Sequence, residues 1–221
     1  MKQKNLLSKF QKEKNNLAHL QPFQVMGFHS CDKTVGLDVI NGRTQLRASN
    51  NIWDWLGEGI YFWEQNPIRA LEYAIESSVR KQFNKIPIRT PFVIGAIIEL
   101  GNCLNLVEPE SLAVLSEAFI GLEGIMKEAG KSIPKNEKDN RKLDSAVFKH
   151  LHASRKRNLN IPFDTIRCAF NEGDPIYPGA NFTARLHLEL CVLNHNLIQG
   201  YYLPYPLEKY NPFLHKSNSP N

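Results

Sequence analysis

The chain lacks the features that mark secreted, membrane-spanning and cysteine-rich metal-binding proteins. It has only four cysteines in 221 residues, and none of them forms a CxxC pair, so we expect reduced thiols rather than a disulfide framework. No apolar run approaches the roughly 18 residues that a membrane helix needs. The N-terminus is rich in Lys, Gln and Asn and has no apolar core of a secretion signal. We therefore expect a cytoplasmic protein with no membrane partner.

The charge balance of the chain is mildly basic. Lys and Arg number 27 against 22 Asp and Glu, which leaves a formal charge of +5. Such an excess permits an RNA, DNA or dinucleotide partner without identifying one. Hydrophobic residues make up 42% and charged residues 22%, as in ordinary globular proteins. The length fits one domain, or one domain with an insertion.

One stretch, Trp53–Glu64, concentrates three tryptophans, a tyrosine and a phenylalanine in the sequence WDWLGEGIYFWE. Its second half alternates and predicts a strand in which Gly59, Tyr61 and Trp63 share a face. A glycine on that face indicates close approach of either a flat ring or a second backbone. The stretch therefore predicts either a slot for a planar ligand or an ordinary aromatic core strand.

The order of the predicted elements favours an α+β fold with mostly antiparallel strands over a doubly wound fold. Residues 1–22 are predicted as a helical extension, residues 23–205 as the main domain with a helical segment at 108–157, and residues 206–221 as an extended tail. The predicted strands are 23–29, 59–63, 92–100, 163–170, 186–193 and 198–203. The predicted helices are 34–42 with Thr34 as N-cap, 66–83, 108–130 and 142–155, and the main loops are 43–51, 131–141 and 171–182.

The late strand Leu186–Val192 carries a carboxylate on an otherwise apolar element. Its even positions are purely apolar and are expected in the core, whereas Glu189 lies between His187 and Cys191 on the other face. Because burial of an unpaired carboxylate is costly, that face must meet water or a cleft. A zinc site built on this face would need further ligands such as His150 and His152, whose spacing matches no zinc pattern, and no metal is expected.

Three strands thus each offer one unusual side chain, and in this respect the sequence resembles the ADP-ribosyltransferases of the diphtheria-toxin and poly(ADP-ribose) polymerase type. That family has His, Tyr and Glu on three separate strands. Ser30 here stands where the family has glycine. The sequence is similar as well to bacterial proteins with an aromatic Gly-x-Gly-Ile-Tyr-Phe-Trp-Glu stretch, some of which act as toxins or phage-defence effectors. The motifs that carry the resemblance are Gly27-Phe28-His29-Ser30, Ser49, Gly57-Glu58-Gly59-Ile60-Tyr61-Phe62-Trp63, Arg69-Ala70-Leu71-Glu72-Tyr73-Ala74 and Glu189.

The resemblance implies two split antiparallel sheets with flanking helices, and NAD as co-substrate. It implies that His29 bonds a ribose hydroxyl and that the main chain at Ser30 pairs with the nicotinamide amide. Tyr61 would stack on the nicotinamide ring with Gly59 giving it room, and Ser49 would add a hydrogen bond. Glu189 would hold the ribose 2′-hydroxyl and stabilise the oxocarbenium-like state. Related bacterial sequences often have Gln at this position, so His187 or Glu64 could share that role.

The expected activity is transfer of ADP-ribose from NAD to a macromolecular acceptor, either a protein or a nucleic acid, with an antitoxin as a possible further partner. Two alternatives stay open. One is a catalytically silent module of the same fold that binds a nucleotide or a partner. The other is an NAD-consuming RNA 2′-phosphotransferase. The basic run Arg155-Lys156-Arg157 could contact phosphates or be a solvated helix end.

Overall fold

A computed structural model describes residues 24–51, 54–79, 87–137 and 141–215, and within these ranges it contains seven strands and five α-helices. The strands are β1 (Gln24–Asp32), β2 (Ile60–Glu64), β3 (Pro91–Glu99), β4 (Cys103–Asn105), β5 (Thr165–Pro175), β6 (Thr183–Val192) and β7 (Ile198–Tyr202). The helices are α1 (Lys33–Ile40), α2 (Pro67–Val79), α3 (Pro109–Glu128), α4 (Lys142–Arg157) and α5 (Leu207–Tyr210). None of the helices in those ranges is long and apolar enough to cross a bilayer. The predicted extension at 1–22 and the end of the predicted helix 66–83 lie outside the described residues.

All seven strands belong to one sheet in the order β4-β5-β6-β2-β1-β3-β7. Every neighbouring pair is antiparallel except β4–β5, which is parallel. The predicted α+β class with mostly antiparallel strands is therefore confirmed. The expected division into two sheets differs from the observed pairing, because hydrogen bonds join the strands into a single mixed sheet.

The sheet is nevertheless held together by only two residue pairs at its centre, between β1 and β2. β1 pairs with β3 along all nine of its residues, from Gln24 to Asp32. It pairs with β2 only at Gly27↔Glu64 and Phe28↔Trp63. We call the gap beyond Phe28 the seam, and it is the point at which the sheet comes closest to splitting.

Local chemistry explains where α1 begins. The helix starts one residue earlier than predicted, and its N-cap is Asp32 rather than Thr34. One Asp32 oxygen accepts the Thr34 amide at 3.0 Å, and the other accepts the amides of Arg89 and Thr90. A carboxylate serves better here than the threonine hydroxyl because its two oxygens cap the helix and also anchor the loop before β3.

The β5–β6 hairpin is longer than the sequence pattern predicts. β5 continues to Pro175, so five of the twelve residues of the predicted loop at 171–182 are strand, and β6 begins at Thr183. This distal arm has exposed residues on both faces, and Leu186, predicted in the core, is 50% exposed. Polar pairing replaces apolar burial there: the Asn171 amide donates to the Asn181 carbonyl at 2.8 Å, and the Thr183 hydroxyl donates to Asn171 at 2.7 Å.

The start of the predicted tail is anchored rather than extended. Asn211 is only 2% exposed, and its side chain accepts the Val93 amide at 2.8 Å and donates to the Val93 carbonyl at 2.9 Å. These two bonds satisfy the main-chain groups of Val93 beyond the end of β7, as a neighbouring strand would. Residues 216–221 lie outside the described residues.

The two faces of the sheet bury different helices. On one face, α1 covers a core that includes Phe62, Ile94 and Leu190. On the other face, α2 packs over Phe28 and Trp63. α3 and α4 pack over the end of this second face, at β4, β5 and β6. β2 and β6 carry the residues that lie between α2 and the α3–α4 pair.

Candidate functional site

The seam interrupts the hydrogen-bond ladder at Ser30. The Gln65 amide donates to the Met26 carbonyl at 2.8 Å, which shows that Met26, Phe28 and Ser30 direct their main-chain groups toward β2. A continued ladder would therefore join Ser30 to Tyr61, but the pairing stops at Phe28↔Trp63. The main-chain polar groups of Ser30 consequently face the seam.

The His29 ring fills the place of the missing rung. Its Nδ1 lies 2.8 Å from the Tyr61 carbonyl oxygen and must donate to it, since a carbonyl only accepts. Burial lowers the pKa of His29, so the ring is neutral at pH 7. In that tautomer Nε2 carries no proton and can accept a hydrogen bond from a ligand hydroxyl.

His29 reaches the seam from the face opposite to that of Tyr61. Its ring lies 5.6 Å from the Phe62 ring, measured between centroids, and Phe62 belongs to the α1 face. The three side chains predicted to converge therefore do not share one face. Tyr61 and Glu189 share a face, and His29 meets them only through the seam.

The Tyr61 phenol is fixed by the loop that precedes β2. Its hydroxyl donates to the Gly57 carbonyl at 2.6 Å and accepts the Leu56 amide at 3.2 Å. Burial raises the pKa of this phenol, so it is not an acid or base near neutral pH. The ring itself stays half-buried and is held in one orientation.

Glu189 lies on the Tyr61 face, at the strand neighbouring β2. Trp63 pairs with Glu189 and Tyr61 pairs with Cys191 in the β2–β6 ladder, so these side chains project from the same side. Burial, followed by the negative charge of Glu172, raises the pKa of Glu189 to about 8, while Arg69 acts in the opposite direction. A carboxyl with such a pKa holds its proton in part at neutral pH.

A buried arginine organises the charges between α2 and the β5–β6 hairpin. Arg69 is 6% exposed, and its guanidinium lies 3.8 Å from carboxylate oxygens of Glu72, Glu76 and Glu172. It lies 5.9 Å from the centroid of the Trp63 ring. Arg69 belongs to a motif of the family resemblance that predicts no role for it, and the sequence pattern predicts Glu172 in a loop. The pairing pattern within the hairpin, which brings Glu172 near Glu189, is not readable from local periodicity.

The other predicted contact residues have structural partners. The Ser30 hydroxyl, which is buried, donates to the Ala70 carbonyl on α2. Ser49 forms an isolated bridge with Gly59, with its amide donating to the Gly59 carbonyl at 2.7 Å. A Cβ at Gly59 would overlap Cys191 Sγ and lie 3.0 Å from the Val192 carbonyl oxygen. The glycine is therefore required by the neighbouring strand, and the room that was predicted for a planar ring is filled by Cys191.

The residues proposed to share the role of Glu189 are otherwise engaged. Glu64 alternates with Trp63 onto the opposite face and forms a two-bond ion pair with Arg167, at 2.5 and 2.9 Å. His187 shares the Glu189 face, but its Nδ1 lies 2.8 Å from the Arg185 carbonyl and its ring packs on Phe170. Among the residues described, no group of His, Cys, Asp or Glu side chains could hold a metal ion.

The described residues form an apolar cleft of about 600 Å³ beside Glu189. Its walls are α3, α4 and the loop before β2, and its floor is β5. Cys168 lines this cleft and pairs directly with Glu189 in the β5–β6 ladder. The cleft therefore lies next to Tyr61 and Glu189, but these two residues do not line it. The aromatic lining residues are Trp55, Phe119, Phe148 and Phe170.

Comparisons with protein-family models, with curated proteins and with solved structures returned no match to this chain.

Proposed function

We propose that this protein is an NAD-dependent ADP-ribosyltransferase that transfers ADP-ribose to a macromolecular acceptor. The observation that carries the proposal is the seam, where the ladder between β1 and β2 stops at Phe28↔Trp63 and the His29 ring bonds to Tyr61. The main-chain donor and acceptor of Ser30 face this seam, which is the arrangement that a planar carboxamide can satisfy with two hydrogen bonds. Nicotinamide is such a carboxamide attached to a ring.

The surrounding side chains supply the other contacts that a nicotinamide riboside needs. The Tyr61 ring is held by two hydrogen bonds to the preceding loop, so it can stack on a flat ligand at low entropic cost. The neutral His29 ring has Nε2 as an acceptor for a ribose hydroxyl. In this proposal the fold is of the ADP-ribosyltransferase type, and the seam is the binding site for nicotinamide.

Glu189 supplies the chemistry in this proposal. When NAD binds, its positively charged pyridinium favours the ionised carboxylate and releases the proton that burial retains on Glu189. The carboxylate then stabilises the positive charge that develops on the ribose as the bond to nicotinamide breaks. It finally takes the proton of the acceptor nucleophile as the new bond to ribose forms.

The proposal is tested by incubating the protein with NAD labelled in its adenosine half and separating protein, RNA and DNA pools. We expect label in one pool, release of one nicotinamide for each ADP-ribose transferred, and loss of both with Glu189→Gln. Glu99→Gln is the matched control, because it makes the same chemical change at the other end of the β1–β3 pair, where Glu99 accepts a hydrogen bond from Gln24 at 3.3 Å. Nicotinamide release without a labelled pool would identify a glycohydrolase. NAD binding without release would identify a silent nucleotide-binding module, and absence of NAD binding would refute the proposal.

A further inference from the structure

The apolar cleft beside Glu189 has the lining of a site for a flat, partly polar group. Four aromatic side chains line it, among them Trp55 and Phe170, whose ring centroids lie 4.7 Å apart. Ser116 and Asp144 also line it and place a hydroxyl and a carboxylate among the apolar residues. Asp144 already accepts the Asn136 side-chain amide at 2.9 Å, and its side chain is 42% exposed. The aromatic lining therefore favours a nucleobase, which offers ring faces for stacking.

Helix α4 and its N-cap Arg141 carry much of the positive charge of the chain, on residues other than the four that line the cleft. Residues 141–157 contain six Lys and Arg side chains and one carboxylate, so they account for five positive charges, equal to the excess of the whole chain. Lys142 and Lys149 are exposed on α4. The Arg141 guanidinium stacks on the Trp55 ring at 4.3 Å from its centroid, at the rim of the cleft. Cations beside aromatic rings are the combination that holds single-stranded nucleic acid.

Two of the three basic residues at the end of α4 are available to a ligand, and the third has a structural role. Arg155 donates to the Ile161 carbonyl from Nε at 3.0 Å and from Nη2 at 2.6 Å, and it stacks on Phe163. Its guanidinium is therefore a structural clamp for the segment after the helix. Lys156 and Arg157 remain exposed and available to phosphates.

We propose that the acceptor is single-stranded nucleic acid, one unpaired base of which enters this cleft while its phosphates lie along α4. The inference deepens the proposed transferase activity and rests on it for the chemical step. Cys168 brings the cleft next to Glu189, so a base in the cleft presents a nitrogen to the ribose. The bond between ribose and nicotinamide breaks, nicotinamide leaves with its bonding electron pair, a bond from ribose to the base nitrogen forms, and the nitrogen's proton passes to Glu189.

The test measures binding without NAD, by fluorescence anisotropy of labelled single-stranded DNA and RNA of about 12 nucleotides. An abasic strand of equal length keeps the phosphates and removes the bases. We expect the complete strand to bind about tenfold more tightly than the abasic strand, since stacking of one base contributes a factor of this order. Binding of both strands should weaken with salt, and Lys149→Glu should reduce the salt dependence by about one charge.

A matched pair of variants on α3 isolates the cleft. Leu112 is 50% exposed and lines the cleft, whereas Ile120 is 64% exposed on the same helix and does not line it. Leu112→Glu should remove the advantage of the complete strand over the abasic strand, and Ile120→Glu should retain it. Thermal melting of both variants confirms that each is folded.

Three results would overturn this inference: equal binding of complete and abasic strands, equal behaviour of the two α3 variants, or transfer of ADP-ribose to the protein pool alone. Absence of NAD turnover with intact, base-dependent binding would refute the transferase instead. DNA and RNA are distinguished by which strand binds and which pool becomes labelled.

Discussion

The Nδ1 atom of His29 lies 2.8 Å from the carbonyl oxygen of Tyr61, so a side chain occupies the acceptor that the Ser30 amide would use in a continued ladder. This hydrogen bond links β1 to β2 through a side chain, in place of a direct main-chain hydrogen bond between the two strands. It fixes the ring tautomer, because the nitrogen that faces a carbonyl must carry the proton. The seam is thus a built feature of the sheet rather than a frayed edge.

The first prediction concerns the protonation of His29. Burial lowers its pKa below the ordinary value of about 6.5, and a protonated ring would donate from Nε2 instead of accepting there. We therefore expect NAD affinity, measured by calorimetry, to be constant near neutral pH and to fall once the pH drops below that value. His29→Leu should bind NAD weakly at every pH. An affinity that rises on acidification would contradict the role given to Nε2.

The second prediction concerns the pH dependence of NAD turnover. Because the pKa of Glu189 is about 8 in the free protein, kcat/KM should rise with pH and level off above that value. Glu172 raises this pKa, so Glu172→Gln should move the rise to lower pH. Arg69 lowers it, so Arg69→Met should move the rise to higher pH. A profile that is unchanged in both variants would mean that another group controls the rate.

The third prediction concerns stability and needs no activity. Between the ordinary pKa of 4.5 and about 8, the folded protein holds a proton on Glu189 that the unfolded chain has lost, so this group makes stability fall as pH rises through that window. Glu189→Gln removes the fall. The variant should therefore be the more stable protein above about pH 8, by on the order of 5 kcal/mol.

Urea unfolding of both proteins across the window measures this difference directly. The two curves should run together at the acidic end and separate as pH rises. Parallel curves throughout would show that Glu189 titrates in the folded protein as it does in water. Glu76→Gln, which alters an ion-paired carboxylate on α2, serves as a comparison for a general loss of charge.

Sequence patterns predicted those parts of the fold that depend on local periodicity. The sequence predicts the helices α3 and α4, the start of α2 and the strands β3, β6 and β7 within a few residues of their observed bounds. β4 was not predicted, because three residues, Cys103–Asn105, are too short for an alternation to appear. The polar β5–β6 arm was assigned to a loop because its strands pair with each other and bury little.

The candidate site divides in the same way. His29, Tyr61 and Glu189 could be selected because each is a polar side chain at a marked position on a strand. Asp54, Arg69 and Glu172, which surround Glu189 electrostatically, could not, because their proximity depends on how α2 and the hairpin pack. Neither could the true reason for Gly59, since its steric neighbour Cys191 is far away in sequence.

The fourth prediction concerns the buried ion pair on the face opposite Glu189. Glu64 and Arg167 bond at 2.5 and 2.9 Å with little exposure of either side chain. Arg167→Met leaves a buried carboxylate unpaired and should cost about 3 to 5 kcal/mol. The double variant Glu64→Leu with Arg167→Met removes both charges and should recover most of that loss. A double variant as unstable as the single one would show that the Asn105 contact of Arg167, at 3.3 Å, matters more than the ion pair.

The fifth prediction concerns the close approach of β2 and β6 at Gly59. A methyl group there would overlap Cys191 Sγ, so Gly59→Ala should destabilise the protein by about 1 to 3 kcal/mol, seen as a fall in melting temperature. Cys191→Ala alone removes a buried side-chain atom and should cost less. Combined, the two substitutions should offset each other in part, because the new methyl group enters the space that the sulfur leaves, while the Val192 carbonyl at 3.0 Å still limits the fit. Strictly additive losses would show that the space occupied by Cys191 is not the reason for glycine at position 59. The close approach of a flat ring would then again be the explanation for this glycine.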